Sequence, residues 1–184
     1  MRKSIKFTSL LVVALMATFS AIAQDKTVMV GGAEMYPSKN IIENAVNSKD
    51  HTTLVAAVKA AGLVETLSGA GPFTVFAPVN AAFAALPAGT VDNLLKPENK
   101  AMLTSVLTYH VIPGKIDSKS VMKMIEDGKG KTMAKTVQGA ELTFSMSGKD
   151  LMVTDSKGNK AKVTIADVYQ SNGVIHVVDK VLMP

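Results

Sequence analysis

"GPFTVFAPVNAAFAALP", residues 71–87, holds two backbone periods and the junction between them. Phe73, Val75 and Ala77 alternate with Thr74 and Phe76, the two-residue period of a strand. Pro78 has no N–H to give to a ladder and stops the strand. Asn80 is placed to cap a short helix carrying Phe83 and Leu86. The stretch therefore predicts a strand–Pro–Asn–helix corner.

On its N-terminal side, "NIIENAVNSKDHTTLVAAVKAAG" (40–62) reads as two short helices. Leu54, Val55, Val58 and Ala61 recur at helical spacing and Gly62 terminates the second. Residues 24–36, with a Gly pair and little periodicity, read as a flexible approach, and compact structure is expected from Pro37. On the C-terminal side, "PENKAMLTSVLTYHVIPG" (97–114) is the clearest helix. Met102, Leu103, Val106, Leu107 and His110 form its apolar stripe, Pro97 and Glu98 suit its first turn, and Pro113-Gly114 close it. Ser118 is the expected cap of a further helix that ends at Gly128.

From residue 132 the period returns to two. Leu142, Phe144 and Met146 alternate with Thr143 and Ser145, "SGKD" turns into "LMVTD", and "SKGN" turns again before "KVTIADVY". "GVIHVVDKVLMP" is nearly continuously apolar, as a strand buried on both faces would be. Helices first and strands afterwards, with one early strand, predict one α+β domain over residues 37–184 rather than alternating βαβ units.

The first residues carry a different signal. Arg2, Lys3 and Lys6 precede the apolar run "LLVVALMATFSAIA", which ends in Ala21-Ile22-Ala23. This pattern predicts a secretory signal peptide over residues 1–23. The run is short for a bilayer span, so no stable membrane span is expected after cleavage. Without the three leader cations, 17 basic side chains face 15 acidic ones. The sequence pI of 9.3 is then no nucleic-acid signal, and no cluster of Lys and Arg interleaved with aromatics appears. The chain has no cysteine and no N-glycosylation acceptor, which fits a bacterial protein exported to the periplasm or the extracellular space.

Sequence patterns for catalysis are absent: there is no G-x-S-x-G elbow, no H-E-x-x-H and no phosphate-binding loop. His51, His110 and His176 lie far apart in the chain, and no pair of carboxylates is spaced for acid–base work. Asp167 and Asp179 sit in or beside predicted strands, where a structural role is expected. Neither a cofactor nor a metal is expected. The adjacent Tyr109 and His110 have two readings. In one, His110 ends the apolar stripe and bonds a backbone carbonyl while Tyr109 packs on Met102 and Val106. In the other, the pair is a recognition surface.

Three blocks, "GPFTVFAPVNAAFAALP" (71–87), "LTYHVIPGK" (107–115) and "NGVIHVVDKVLMP" (172–184), occur in this order. Together they closely resemble the fasciclin-like domain family. The resemblance implies an α+β fold in which a wedge of two β-sheets has several helices packed around it. It further implies an exported, non-enzymatic adhesion or binding module that contacts a cell-surface or matrix protein or polysaccharide. By position it points to Tyr109 and His110, with Val111 and Ile112, as partner-binding residues. The family commonly has Thr where this chain has Val79. The alternative reading is a periplasmic small-ligand-binding or envelope housekeeping protein using a groove between sheets and helices.

Overall fold

Residues 27–184 are described by the structure, a computed structural model; the expected leader, residues 1–23, lies outside them. The first described segment is not loose. Val28–Val30 (β1) and Ala33–Met35 (β2) pair antiparallel about Gly31-Gly32, whose φ values of 57° and 76° suit a tight hairpin turn. Val30 and Met35 are buried. Such a ribbon is marginal alone, and it is the domain core beneath these two side chains that orders it. The Gly pair marks a turn.

Ile41–Ala45 (α1) opens with a capping box between Asn40 and Glu43. A single 3₁₀ turn, Lys49–His51, leads into Thr52–Ala61 (α2), which ends at Gly62 with φ 74°. Val64–Ser68 (α3) follows, then the expected strand Phe73–Pro78 (β3) and the short helix Asn80–Ala84 (α4). Asn80 does not cap its own helix. Its Oδ1 accepts from Thr53 N at 3.0 Å, so it caps α2 across the corner. Val79 holds the N-cap position of α4 and has no side-chain cap bond.

After Thr90–Leu94 (α5) comes Lys100–Tyr109 (α6), shorter than its sequence pattern at both ends. Its start is a 3₁₀ turn over Pro97–Asn99, and Val111–Pro113 form a strand (β4) instead of a last helical turn. β-branched Val111 and Ile112 before a proline favour extended backbone. Met102 is exposed, so the true stripe is Leu103, Val106 and Leu107. Ser118–Asp127 (α7) is capped by Asp117, not Ser118, and closes at Gly128. Lys131–Lys135 (β5), Glu141–Ser147 (β6), Asp150–Thr154 (β7), Lys160–Gln170 (β8) and Gly173–Val178 (β9) complete the chain.

Seven strands form one hydrogen-bonded sheet in the order β4-β3-β9-β8-β7-β6-β5. The expected two-sheet wedge is this sheet folded along the eleven-residue β8. That strand pairs β7 through Lys160–Lys162 and β9 through Val163–Gln170. Register shifts between Val163 and Val168, with Asp167 at φ 59°, turn the strand between the two halves. The edges approach one another where Val137 N donates to Val111 O at 2.8 Å, so the sheet nearly closes on itself.

β3 and β9 run parallel, each flanked by a strand on both sides, with Phe73 opposite Gly173. A Cβ on Gly173 would lie 2.1 Å from the Phe73 carbonyl oxygen, so the close approach needs glycine there. All six β9 residues are buried because cores lie on both faces. One core takes Val75, Ala77, Ile175 and Val177 against α1, α2 and α6. The other takes Phe76 and Val178 with Leu142, Phe144 and Val153.

Candidate functional site

Tyr109, His110, Val111 and Ile112 lie where α6 hands over to β4, beside the chain terminus. All four are buried, at 0%, 3%, 5% and 3% exposure. Val111 joins the helical-side core, while Tyr109 and Ile112 join the opposite one. The tetrapeptide thus stitches the two cores together. Tyr109 does not lie on Met102. Its hydroxyl donates to Glu141 O at 3.0 Å and accepts from Ser156 N at 2.9 Å, and burial pushes its pKa up.

His110 answers two backbone deficits at once. Its own N–H turns to Leu107 O, which leaves Val106 O without its helical donor, and ring Nδ1 lies 2.8 Å from that oxygen. Leu182 N, in the irregular terminal segment, donates to Nε2 at 3.0 Å. Nδ1 therefore carries the proton and the ring is neutral. Burial pushes its pKa down to about 4, partly offset by the Val106 carbonyl and the Asp155 carboxylate. Asp155, in the turn after β7, fastens the same segment by accepting from Met183 N at 3.1 Å and from Lys157 N and Asn159 N. The "TDSKGN" turn carried the signal for Asp155, since an Asx side chain bonds the backbone two residues on.

Surface side chains frame this buried motif. Pro113 and Lys115 are exposed, Lys115 Nζ sits 4.8 Å over the half-exposed Tyr169 ring, and Val137 is 48% exposed where it bonds β4.

A second cluster joins a serine, a histidine and an aspartate, but not as a nucleophile relay. Asp167 accepts from both Ser118 N and Ser118 Oγ. His176 stacks on Phe76 with ring centroids 5.4 Å apart. Its Nδ1 accepts from Asp167 N at 3.3 Å and its Nε2 faces Ile116 O at 2.9 Å. The serine proton goes to the carboxylate, and both imidazole nitrogens are occupied by backbone. Burial pushes His176 below its ordinary pKa. Asp179, the other carboxylate singled out by sequence, accepts from Lys162 N at 2.7 Å. Among the described residues, no group of three or more His, Asp or Glu is placed to hold a metal ion. Nor, among them, is any helix long and apolar enough to cross a membrane.

A family model described as the fasciclin domain matches residues 49–184. Protein sll1483 of Synechocystis sp. is 49% identical over 184 residues, spanning 98% of this chain and 95% of its own length. The cell surface glycolipoprotein MPB83 of Mycobacterium bovis is 43% identical over 122 residues, 66% of this chain and 48% of that protein. Among solved structures, a FAS1 domain pair from the insect cell adhesion molecule fasciclin I superposes with a TM-score of 0.72 at 16% identity, over 81% of this chain and 52% of that one. That last likeness is one of fold.

Proposed function

The chain belongs to the fasciclin domain family, and from that premise we propose that it is an exported, non-enzymatic binding module that holds a cell-surface or matrix component. The partner is a protein or a polysaccharide, engaged by surface complementarity without chemistry. What supports the reading is the domain itself, which fills residues 49–184 and recurs in proteins of cell surfaces and cell adhesion. On this reading Tyr109, His110, Val111 and Ile112 serve the contact from within. Buried side chains cannot meet a partner unless they leave the core, and leaving it would break the bonds that Tyr109 and His110 make. Their work is to hold β4, and with it the surface residues Pro113, Lys115 and Val137, in place. A single domain of this kind binds weakly and gains strength by multivalent display.

The test is a saturable isotherm of the purified protein on isolated cell envelopes. Lys115→Glu combined with Val137→Asp is expected to weaken binding at least tenfold and leave the unfolding midpoint unchanged. Binding that never saturates, or that saturates equally well for this variant, overturns the reading.

A further inference from the structure

The seven-stranded sheet is packed on both faces only around β9. β5, β6, β7 and the first residues of β8 turn one face to a core and leave the other open. Leu142, Phe144, Leu151, Val153 and Ala161 point inward, where they pack with Val121 and Ile125 of α7. Alternation puts the intervening residues on the open face, and all of them are exposed or half-buried. Strand register sets them in two rows: Lys131, Ser145, Met152 and Lys162 in one, Met133, Thr143, Thr154 and Lys160 in the next. At a strand spacing of about 4.8 Å, Lys131 and Lys162 stand ~14 Å apart at the two ends of their row.

Charge is divided along the same boundary. Residues 128–162 hold seven lysines and three carboxylates, a balance of +4. The rest of residues 24–184 holds ten lysines and twelve carboxylates, a balance of −2. None of the three acids in the basic segment reaches the middle of the open face. Asp155 is buried and taken up by backbone N–H groups, Asp150 pairs with Lys162 at 2.8 Å, and Glu141 stands opposite Lys135. Beyond β8, Asp179 is held by Lys162 N. Lys131 and Lys160, on opposite sides of the face, have no ion pair among the described residues. Lysine on an edge strand discourages edge-to-edge pairing, which accounts for Lys131 and Lys135 on β5. It does not account for Lys160 and Lys162, because β8 is an interior strand.

We propose that this open face binds an acidic polysaccharide, with Lys131 and Lys160 taking its carboxylates and Thr143, Ser145 and Thr154 exchanging hydrogen bonds with the sugar hydroxyls between them. An ammonium group is a compact partner for a carboxylate, and a concentration of one sign of charge on one face draws a chain of the other sign. The two rows run across the strands and suit a linear chain laid along them. They contain no aromatic ring, so the face lacks the platform on which bare bases stack. Met133 and Met152 are its only apolar side chains, too few to anchor it in a bilayer. The proposal rests on the reading of the chain as an exported binding module, but it uses other residues than Lys115 and Val137, so each can fail alone.

The experiment is an NMR titration of the purified, nitrogen-15-labelled protein with a uronate octasaccharide and, in parallel, with a neutral glucose octasaccharide. The uronate is expected to cause saturable shifts at Lys131, Met133, Thr143, Thr154 and Lys160, and the neutral sugar to bind at least tenfold more weakly. Lys131→Glu combined with Lys160→Glu weakens uronate binding at least tenfold and leaves the unfolding midpoint unchanged. The charge-matched pair Lys59→Glu and Lys96→Glu, at exposed positions on the helical side, stays within about twofold of the wild type. Lys115→Glu combined with Val137→Asp keeps the uronate shifts, which separates this face from the envelope contact. Absence of saturable shifts on the open face overturns the proposal. So does equal weakening by the two lysine pairs, or equal affinity for the neutral sugar. Binding to phosphatidylglycerol vesicles that depends on Lys131 and Lys160 and that excess uronate does not displace also overturns it, since the face would then belong to a membrane.

Discussion

Acidification is predicted to loosen the α6–terminus junction through His110, by an amount the structure sets. Folded, the ring donates from Nδ1 to Val106 O and accepts from Leu182 N at Nε2. A second proton has to go to Nε2, where it would face the Leu182 N–H, donor against donor, in a buried site. The folded pKa is accordingly about 4, against an ordinary value of 6.5 in the unfolded chain. The unfolded state therefore binds more protons between these values, and stability falls as pH drops from 6.5 toward 4 and levels off below. The gap is worth about 3 kcal/mol by pH 4. The assay is urea unfolding of the wild type and His110→Asn from pH 7.5 to 4. At pH 7.5 the variant is less stable by about 2–4 kcal/mol, since it frees two buried backbone groups and removes ring volume. That difference shrinks by about 3 kcal/mol on reaching pH 4, while titrations common to both proteins cancel. A difference that stays constant with pH, or a His110 carbon resonance that titrates near 6.5, refutes the reasoning.

Three further outcomes can be checked by the same unfolding curves. Tyr109→Phe deletes the hydroxyl shared by Glu141 O and Ser156 N and should cost about 1–3 kcal/mol; an unchanged midpoint would contradict the bonds seen. Asn80→Ala removes the cap that Thr53 N finds across the corner and should cost about 1–2 kcal/mol, with amide exchange quickening at the start of α2 rather than α4. Val79→Thr restores a hydroxyl at the uncapped start of α4 and should raise stability by about 0.5–1 kcal/mol, with the helix 80–84 amides better protected.

Much of the fold was legible because local rules carried it. β3 and its stop at Pro78, Gly62 as the terminator of α2, Gly128 after α7 and the turns around 148 and 158 depend on residues within one or two positions. The misread pieces share a different cause. The hairpin at 28–35 exists because Val30 and Met35 reach a core assembled from residues far along the chain. Asn80 has the right chemistry for a cap, and α2, twenty-seven residues earlier, supplies the N–H it serves. The helical pattern around residue 110 is broken because β4 must pair with β3, Val111 opposite Val75.

The candidate site divides along the same line. Sequence alone determined that the apolar stripe of a helix ends at His110 and that β9 is buried on both faces, since periodicity is a local property, whereas the grouping of residues 109–112 came from the family resemblance. Tertiary structure decided what those residues do. It set Tyr109 into the core opposite Val106 and brought Leu182 to the second nitrogen of His110. Hydrogen-bond partners 32, 72 and more positions away are chosen by how the sheet turns at β8, and no local pattern encodes that turn.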